Sequence, residues 1–143
     1  MAKSTAFARE VLLLIFNSIP ITGLARNPAI SPVTELTVAL HTANPGVGGT
    51  QATSEISYTG YVRARVTRAD GSGWVVTGAS VSPAAAITFP LMTGGTGGVA
   101  THVSVGTGVA DALLYAGALT SPITIAVDGR QPQLLPSSVI TES

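Results

Sequence analysis

With 143 residues, seven Lys and Arg set against seven Asp and Glu, and no cysteine, the chain has one domain's length, a formal net charge of +0 and no disulfide framework. That balance excludes the broad basic footprint of a nucleic-acid binder, and the missing cysteines exclude a zinc knuckle. Charged residues are only 10% of the chain, where a soluble domain has about 25%, and 45% are hydrophobic. Such a chain either spends its surface against other protein or builds its exterior from Thr, Ser and Gly.

Residues 4–17 carry the one good helix signal. Phe7, Val11, Leu14 and Ile15 recur at i, i+4, i+7 and i+8, Ser4 or Thr5 is placed to cap the start, and Leu12, Leu13 and Phe16 widen the stripe until nearly all of it is apolar. Such a helix must dock on something. A signal peptide is the competing reading, with Lys3 and Arg9 as its basic start, but Glu10 and Asn17 interrupt it and no A-x-A site follows. The run is also far short of the roughly 20 residues that span a bilayer, and two basic residues are few for an anionic membrane surface. The segment is therefore expected to stay in the mature protein. Pro20, Gly23, Pro28 and Pro32 predict an extended arm over residues 19–32, so the chain divides into a helix and arm, residues 1–35, and a β-domain, residues 36–143.

The β-domain opens with LTVALHTANPGVGG. Leu36, Val38 and Leu40 alternate with Thr37, Ala39 and His41, the pattern of a half-buried strand, and Asn44-Pro45-Gly46 ends it in a glycine-rich loop. Residues 56–67 read as a long strand bent at Gly60, and Asp70-Gly71 as a hairpin turn leading to a strand at 74–77. Residues 86–89 make a short strand closed by Pro90, residues 93–98, TGGTGG, a flexible loop, and residues 99–106 another alternating strand. Strands at 113–119 and 123–127 are expected on either side of Ser121-Pro122, Asp128-Gly129 makes the next turn, and Leu134-Leu135 and residues 139–141 are weak terminal strands. Eight or nine short strands without strand-helix alternation predict an all-β sandwich or barrel.

Chemistry-bearing patterns are sparse. His41 and His102, with Asp111 or Glu55, are the only metal candidates, but they stand far apart without ligand spacing and are expected to be strand histidines bonded to a carbonyl. No G-x-S-x-G elbow is present, the glycines at 94–98 lack the Gly-Lys-Ser/Thr of a phosphate loop, and Gly106-Thr107-Gly108 lacks the rest of a dinucleotide turn. Arg63, Arg65 and Arg68 lie near Tyr58 and Tyr61. They are either a patch for an acidic partner or a solvated face whose arginines pair with Glu55 or Asp70, with contact to a partner protein between the two. Phe7, Val11, Leu14, Ile15, Tyr61, Arg63 and Arg65 are the candidate partner-interface residues. No catalytic, cofactor or metal residue is assigned, and no enzyme is expected.

Several separated motifs occur in order: a helix ending Leu14-Ile15-Phe16-Asn17, then residues 38–46, VALHTANPG, residues 55–61, EISYTGY, residues 86–90, AITFP, and residues 101–106, THVSVG. Together they resemble a family of small tailed-phage structural proteins, some labelled tail fibre proteins and some head decoration or cement proteins, with the cement proteins the nearer likeness. The resemblance covers nearly the whole chain, and its one mild departure is Asn44, where the family often has Asp. It implies a jelly-roll-like β-sandwich that forms a homo-oligomer, a dimer, and clamps major capsid subunits from outside the head. It implies no cofactor, no direct contact with nucleic acid and no membrane. The alternative role is a tail fibre or receptor-binding component, whose loops at 44–49 and 93–98 would meet a host surface. Under the cement reading, deleting the residues before Leu36 is expected to weaken attachment while leaving the β-domain folded.

Overall fold

A computed structural model of the chain describes residues 4–21, 32–69 and 72–142. One helix, α1 (Thr5–Asn17), precedes nine strands: β1 (Glu35–His41), β2 (Ala64–Thr67), β3 (Trp74–Thr77), β4 (Ser80–Pro83), β5 (Ile87–Thr88), β6 (Gly98–Gly106), β7 (Leu113–Ile125), β8 (Gln133–Leu134) and β9 (Ile140–Thr141). They form sheets of order β2-β1-β6-β7, β3-β4-β9 and β5-β8. β1 with β6, β6 with β7, β3 with β4 and β4 with β9 are all antiparallel. The all-β sandwich class with one N-terminal helix is as the turn-punctuated sequence predicts. Most of the expected arm, and Asp70-Gly71 of the expected hairpin turn, lie outside the described residues. No helix among the described residues is long and apolar enough to cross a membrane.

Contacts group the chain into two compact units. One takes the described residues of Met1–Leu36, Val66–Ile87 and Leu135–Ser143, the other Thr37–Arg65 and Thr88–Leu134. In the first, Ser4 caps α1, its hydroxyl accepting from the Phe7 N–H at 3.2 Å. The helix packs on β3 and β4. Ala8, Leu12 and Phe16, one residue on from Phe7, Val11 and Ile15, form its buried stripe, and the Phe16 ring meets Trp74 edge-on with centroids 4.8 Å apart. No basic residue sits in the helix's last turn. Arg68 supplies that charge from outside, its guanidinium donating to the carbonyls of Leu14 and Ile15 and, at 2.6 Å, to Val33. Because Leu12 and Phe16 belong to this unit's own core, a truncation before Leu36 would take part of that core with it.

In the second unit β1 pairs with β6 in the register Val38↔Val105, Leu40↔Val103 and His41↔His102. The expected half-buried alternation fails here: Leu36 to His41 are all buried. β1 is an interior strand of its sheet, and the face carrying Thr37 and His41 is covered by Gln51 from the glycine-rich loop. Residues 56–63 are irregular where a continuous strand was expected, with only Ala64–Thr67 laddered. Gly60 (φ +100°) presses within 2.9 Å of the Leu91 carbonyl where a Cβ would stand. Ser121-Pro122 likewise does not separate two strands. It lies inside β7, where residues 119–122 face Thr101 alone, a bulge that accommodates the proline's missing N–H. The TGGTGG segment is pinned: Thr59 donates its N–H to the Gly94 carbonyl and accepts from the Thr93 N–H, both at 3.0 Å, and a Cβ at Gly97 would meet the Ile125 carbonyl at 2.2 Å.

Candidate functional site

The signature stretch and the loop after it build a closed polar network on one face of the sheet. Asn44 Oδ1 accepts from the Gly46 N–H at 2.9 Å and starts the turn that Pro45 and Gly46 complete. The loop then returns to β1, with Thr42 N–H donating to Ser54, Ile56 N–H to Leu40, and Gln51 N–H to the Asp111 carbonyl. This drives the Gln51 side chain, fully buried, onto Thr37 of β1 and Ser104 of β6.

Its hydrogen bonds admit one direction of donation. The Thr53 carbonyl can only accept, so His41 Nδ1 carries the proton and donates to it at 2.9 Å. Nε2 of the neutral ring then accepts from the Ser104 hydroxyl at 2.7 Å. The Ser104 oxygen accepts from Gln51 Nε2 at 3.3 Å, the amide's second hydrogen goes to the Thr37 carbonyl at 3.1 Å, and Gln51 Oε1 accepts from the Thr37 hydroxyl at 2.6 Å. Every buried side-chain donor and acceptor in the chain of contacts is used in the sense its chemistry requires, Ser104 Oγ and Gln51 Nε2 each twice. Burial pushes the His41 imidazole below its ordinary 6.5, against the raising effects of the Thr53 carbonyl and Glu55, and so holds it neutral. Ser104 is 1% exposed and its histidine is bonded on the far side to a carbonyl, not a carboxylate, so the pair is a buried joint and lacks the acid that orients a nucleophilic Ser-His pair.

β-pairing makes His41 and His102 direct cross-strand neighbours, a proximity that their distance in sequence conceals. His102 Nδ1 lies 2.9 Å from the Thr101 hydroxyl, and both His41 nitrogens are occupied. Among the described residues no three His, Asp or Glu side chains converge as metal ligands.

A second cluster clamps the end of the same loop. Tyr61, its ring 5.2 Å from Tyr58 and stacked 6.4 Å from Phe89, accepts from the Leu40 N–H at 3.1 Å and donates to Glu55 Oε1 at 2.9 Å. Burial pushes its phenol well above the ordinary range. Arg63 grips Glu55 with two parallel bonds of 2.7 Å and reaches Asp111 at 2.6 Å, and the bonds to Glu55 first, then to Asp111, hold its guanidinium charged. The basic cluster read from sequence is thus dispersed: Arg63 is drawn into the loop clamp, Arg68 caps α1, and Arg65 is exposed on β2.

The helix candidates are placed differently. Phe7 is 37% exposed, and Val11, Leu14 and Ile15 are half-buried, a second apolar stripe beside the buried one. Sequence reasoning missed Gln51 and Ser104. The one signal was Gly106, where a Cβ would stand 2.3 Å from Gln51 Cδ and 2.4 Å from the Ala112 carbonyl, so only glycine leaves room for the buried amide.

A family model described as podophage GP4 fiber I protein gp80 matches residues 20–136, most of the chain. A search among curated proteins finds no match. The match takes in the loop network, the Arg63 clamp and the sheet that carries both, and by it the chain belongs to the podophage GP4 fiber I protein gp80 family, a family of phage structural proteins.

Proposed function

We propose that this protein is a capsid cement protein, a homo-oligomer that lies on the outside of the phage head and holds neighbouring major capsid subunits together. It works by burying surface, without catalysis, cofactor, membrane or direct contact with nucleic acid. The observation that carries this reading is an exterior short of charge and rich in apolar side chains: Val47, Val62, Val109, Val127 and Val139 are each more than half exposed, in a chain only 10% charged. The second stripe of α1, Phe7 with Val11, Leu14 and Ile15, is one candidate contact, and Arg65, exposed on β2, is another. Tyr61 and Arg63 serve by fixing the loop between β1 and residue 56, so that Val47 at its tip is held in place. Repetition over a lattice supplies avidity even where each contact is modest.

The second reading is a tail fibre component. The family's own description as a fiber protein favours it, as does Val47, fully exposed on a braced loop that would suit a host surface. Electron cryomicroscopy of virions with and without this protein separates the two. The cement reading expects density lost from between capsid subunits, whereas density lost from the tail alone overturns it. Phe7→Asp, which leaves the buried stripe intact, is expected to weaken attachment.

A further inference from the structure

The network behind β1 is closed between two backbone carbonyls, and that closure fixes how many protons it can hold. At one end the Thr53 carbonyl accepts from His41, and at the other the Thr37 carbonyl accepts from Gln51. Neither can become a donor. Between them five hydrogens meet five acceptors: His41 Nδ1–H on Thr53, the Ser104 hydroxyl on His41 Nε2, the two Gln51 amide hydrogens on Ser104 and on the Thr37 carbonyl, and the Thr37 hydroxyl on Gln51 Oε1. The site is sealed, with His41, Gln51 and Ser104 each no more than 1% exposed.

A sixth hydrogen has no place in it. Protonating His41 turns Nε2 into a donor 2.7 Å from a hydroxyl whose own hydrogen already points at it. The Ser104 hydroxyl must then turn away, and the neighbour it meets is the Gln51 amide nitrogen, another donor. Flipping that amide to offer Oε1 would set the oxygen against the Thr37 carbonyl, acceptor against acceptor at the present 3.1 Å. The mismatch passes along the network until a contact opens.

The anchoring of the loop decides which one. Glu55 is held independently of His41, by two bonds from Arg63 and one from Tyr61. Gln51 is held through the network and by one backbone bond, its N–H donating to the Asp111 carbonyl at 2.9 Å. Between these anchors stands Ser54, a non-glycine residue in the left-handed region at φ +53°. Thr42 keeps it there, its N–H and hydroxyl donating to the Ser54 carbonyl at 2.9 and 3.2 Å. Opening the loop relieves that strain.

We propose that residues 42–54 form an acid-released latch: proton uptake by His41 frees Gln51 and the loop around it from the sheet, with Glu55 as the fixed end and the sheet intact. While the latch is closed, burial above all keeps the imidazole below its ordinary 6.5, with Arg63 and His102 acting in the same sense and the Thr53 carbonyl and Glu55 against it. Tyr61 and Asp111, bonded to Glu55 and Arg63, complete the ionisable groups around it among the described residues. Once open, the ring regains its affinity in water, so the closed form is favoured above about 6.5 and loses ground as pH falls below it. The proposal concerns the chain alone and rests on neither reading of its place in the virion.

Amide hydrogen exchange of the full chain, read by NMR as protection factors from pH 7 to 5, tests it. The Thr42 and Gln51 amides are expected to lose roughly tenfold in protection over that range, while Val103 and Val105 of β6 keep theirs. In the same spectra the His41 ring is expected to titrate below 6.5, with the midpoint at which the loop amides move. His41→Gln, neutral at every pH, is expected to abolish the dependence, and His102→Gln to leave it. Loop protection that does not change with pH, β6 protection that falls in step with the loop, or a dependence that survives His41→Gln or vanishes in His102→Gln would each overturn the proposal. Should His41→Gln not fold, the wild-type ring decides: a His41 midpoint at or above 6.5, or one apart from that of the loop amides, overturns it as well.

Discussion

The interior around β1 and the outer strand β7 invert the usual assignment of side chains. Behind β1, in positions sealed from water, stand a histidine, a glutamine, a serine and a threonine. Along the first part of β7, in the open, stand Leu114, Ala116, Gly117 and Ala118, with Thr120, Ser121 and Thr124 beyond them. The polar groups are tolerated inside because each has its partner, and a satisfied network fixes one loop conformation where apolar packing would permit several. Among the described residues the apolar groups outside have no such reason. The difference teaches that this molecule spends polar side chains on holding a glycine-rich loop to a sheet while leaving apolar side chains exposed.

The two strand glycines on adjacent β6 and β7 give the sharpest way to break that comparison. Gly106→Ala forces a methyl into Gln51 and the Ala112 carbonyl and is expected to cost about 3 kcal/mol in chemical denaturation, the upper part of the range for overpacking. Gly117→Ala, meeting nothing, is expected to leave monomer stability within about 0.5 kcal/mol. Equal effects would show that the inner face is no better packed than the outer.

Gln51→Ala comes next. It leaves the Thr37 and Ser104 polar groups short of partners in a dry site, and a loss of about 2 kcal/mol is expected by the same measurement. Acid then sharpens the comparison through His41. Its folded-state proton affinity lies below the unfolded 6.5, so the unfolded chain binds the proton first as pH falls. Its contribution is fully present above that value and declines below it, at a slope of at most about 1.4 kcal/mol per pH unit, until the folded form also titrates. Comparing wild type with His41→Gln across pH 7 to 5 isolates it: the wild-type decline is expected to be the steeper of the two. The smallest effect belongs to the exposed side, where Val47→Ser is expected to change stability by no more than about 0.5 kcal/mol while still weakening attachment to the virion.

Much of the fold was legible because the chain is punctuated. Ser4 announced α1, and Asn44-Pro45-Gly46 announced the end of β1. The helix's buried face was not legible, because in a run as apolar as VLLLIF the stripe through Phe7, Val11 and Ile15 and the stripe through Ala8, Leu12 and Phe16 are equally hydrophobic, and only packing on Trp74 chooses between them. Pro122 read as a turn because sequence does not distinguish a turn from a bulge on an outer strand. β4 went unseen because Ser80 and Ser82 flank Val81 with little β-pattern, and pairing with β3 and β9 supplies what propensity lacks. Of the candidate site, Arg63 with Glu55 was one of the two readings on offer. The joint of His41, Ser104 and Gln51 was not, since Ser104 lies 63 residues from His41 and 53 from Gln51 and no local pattern marks it.

The central claim is that the apolar exterior exists to be covered by a capsid lattice, and the most direct measurement is the number of copies in purified virions relative to the major capsid protein. The cement account predicts a copy number of the same order as the capsid protein. A handful of copies per particle, as a tail component would give, would contradict it.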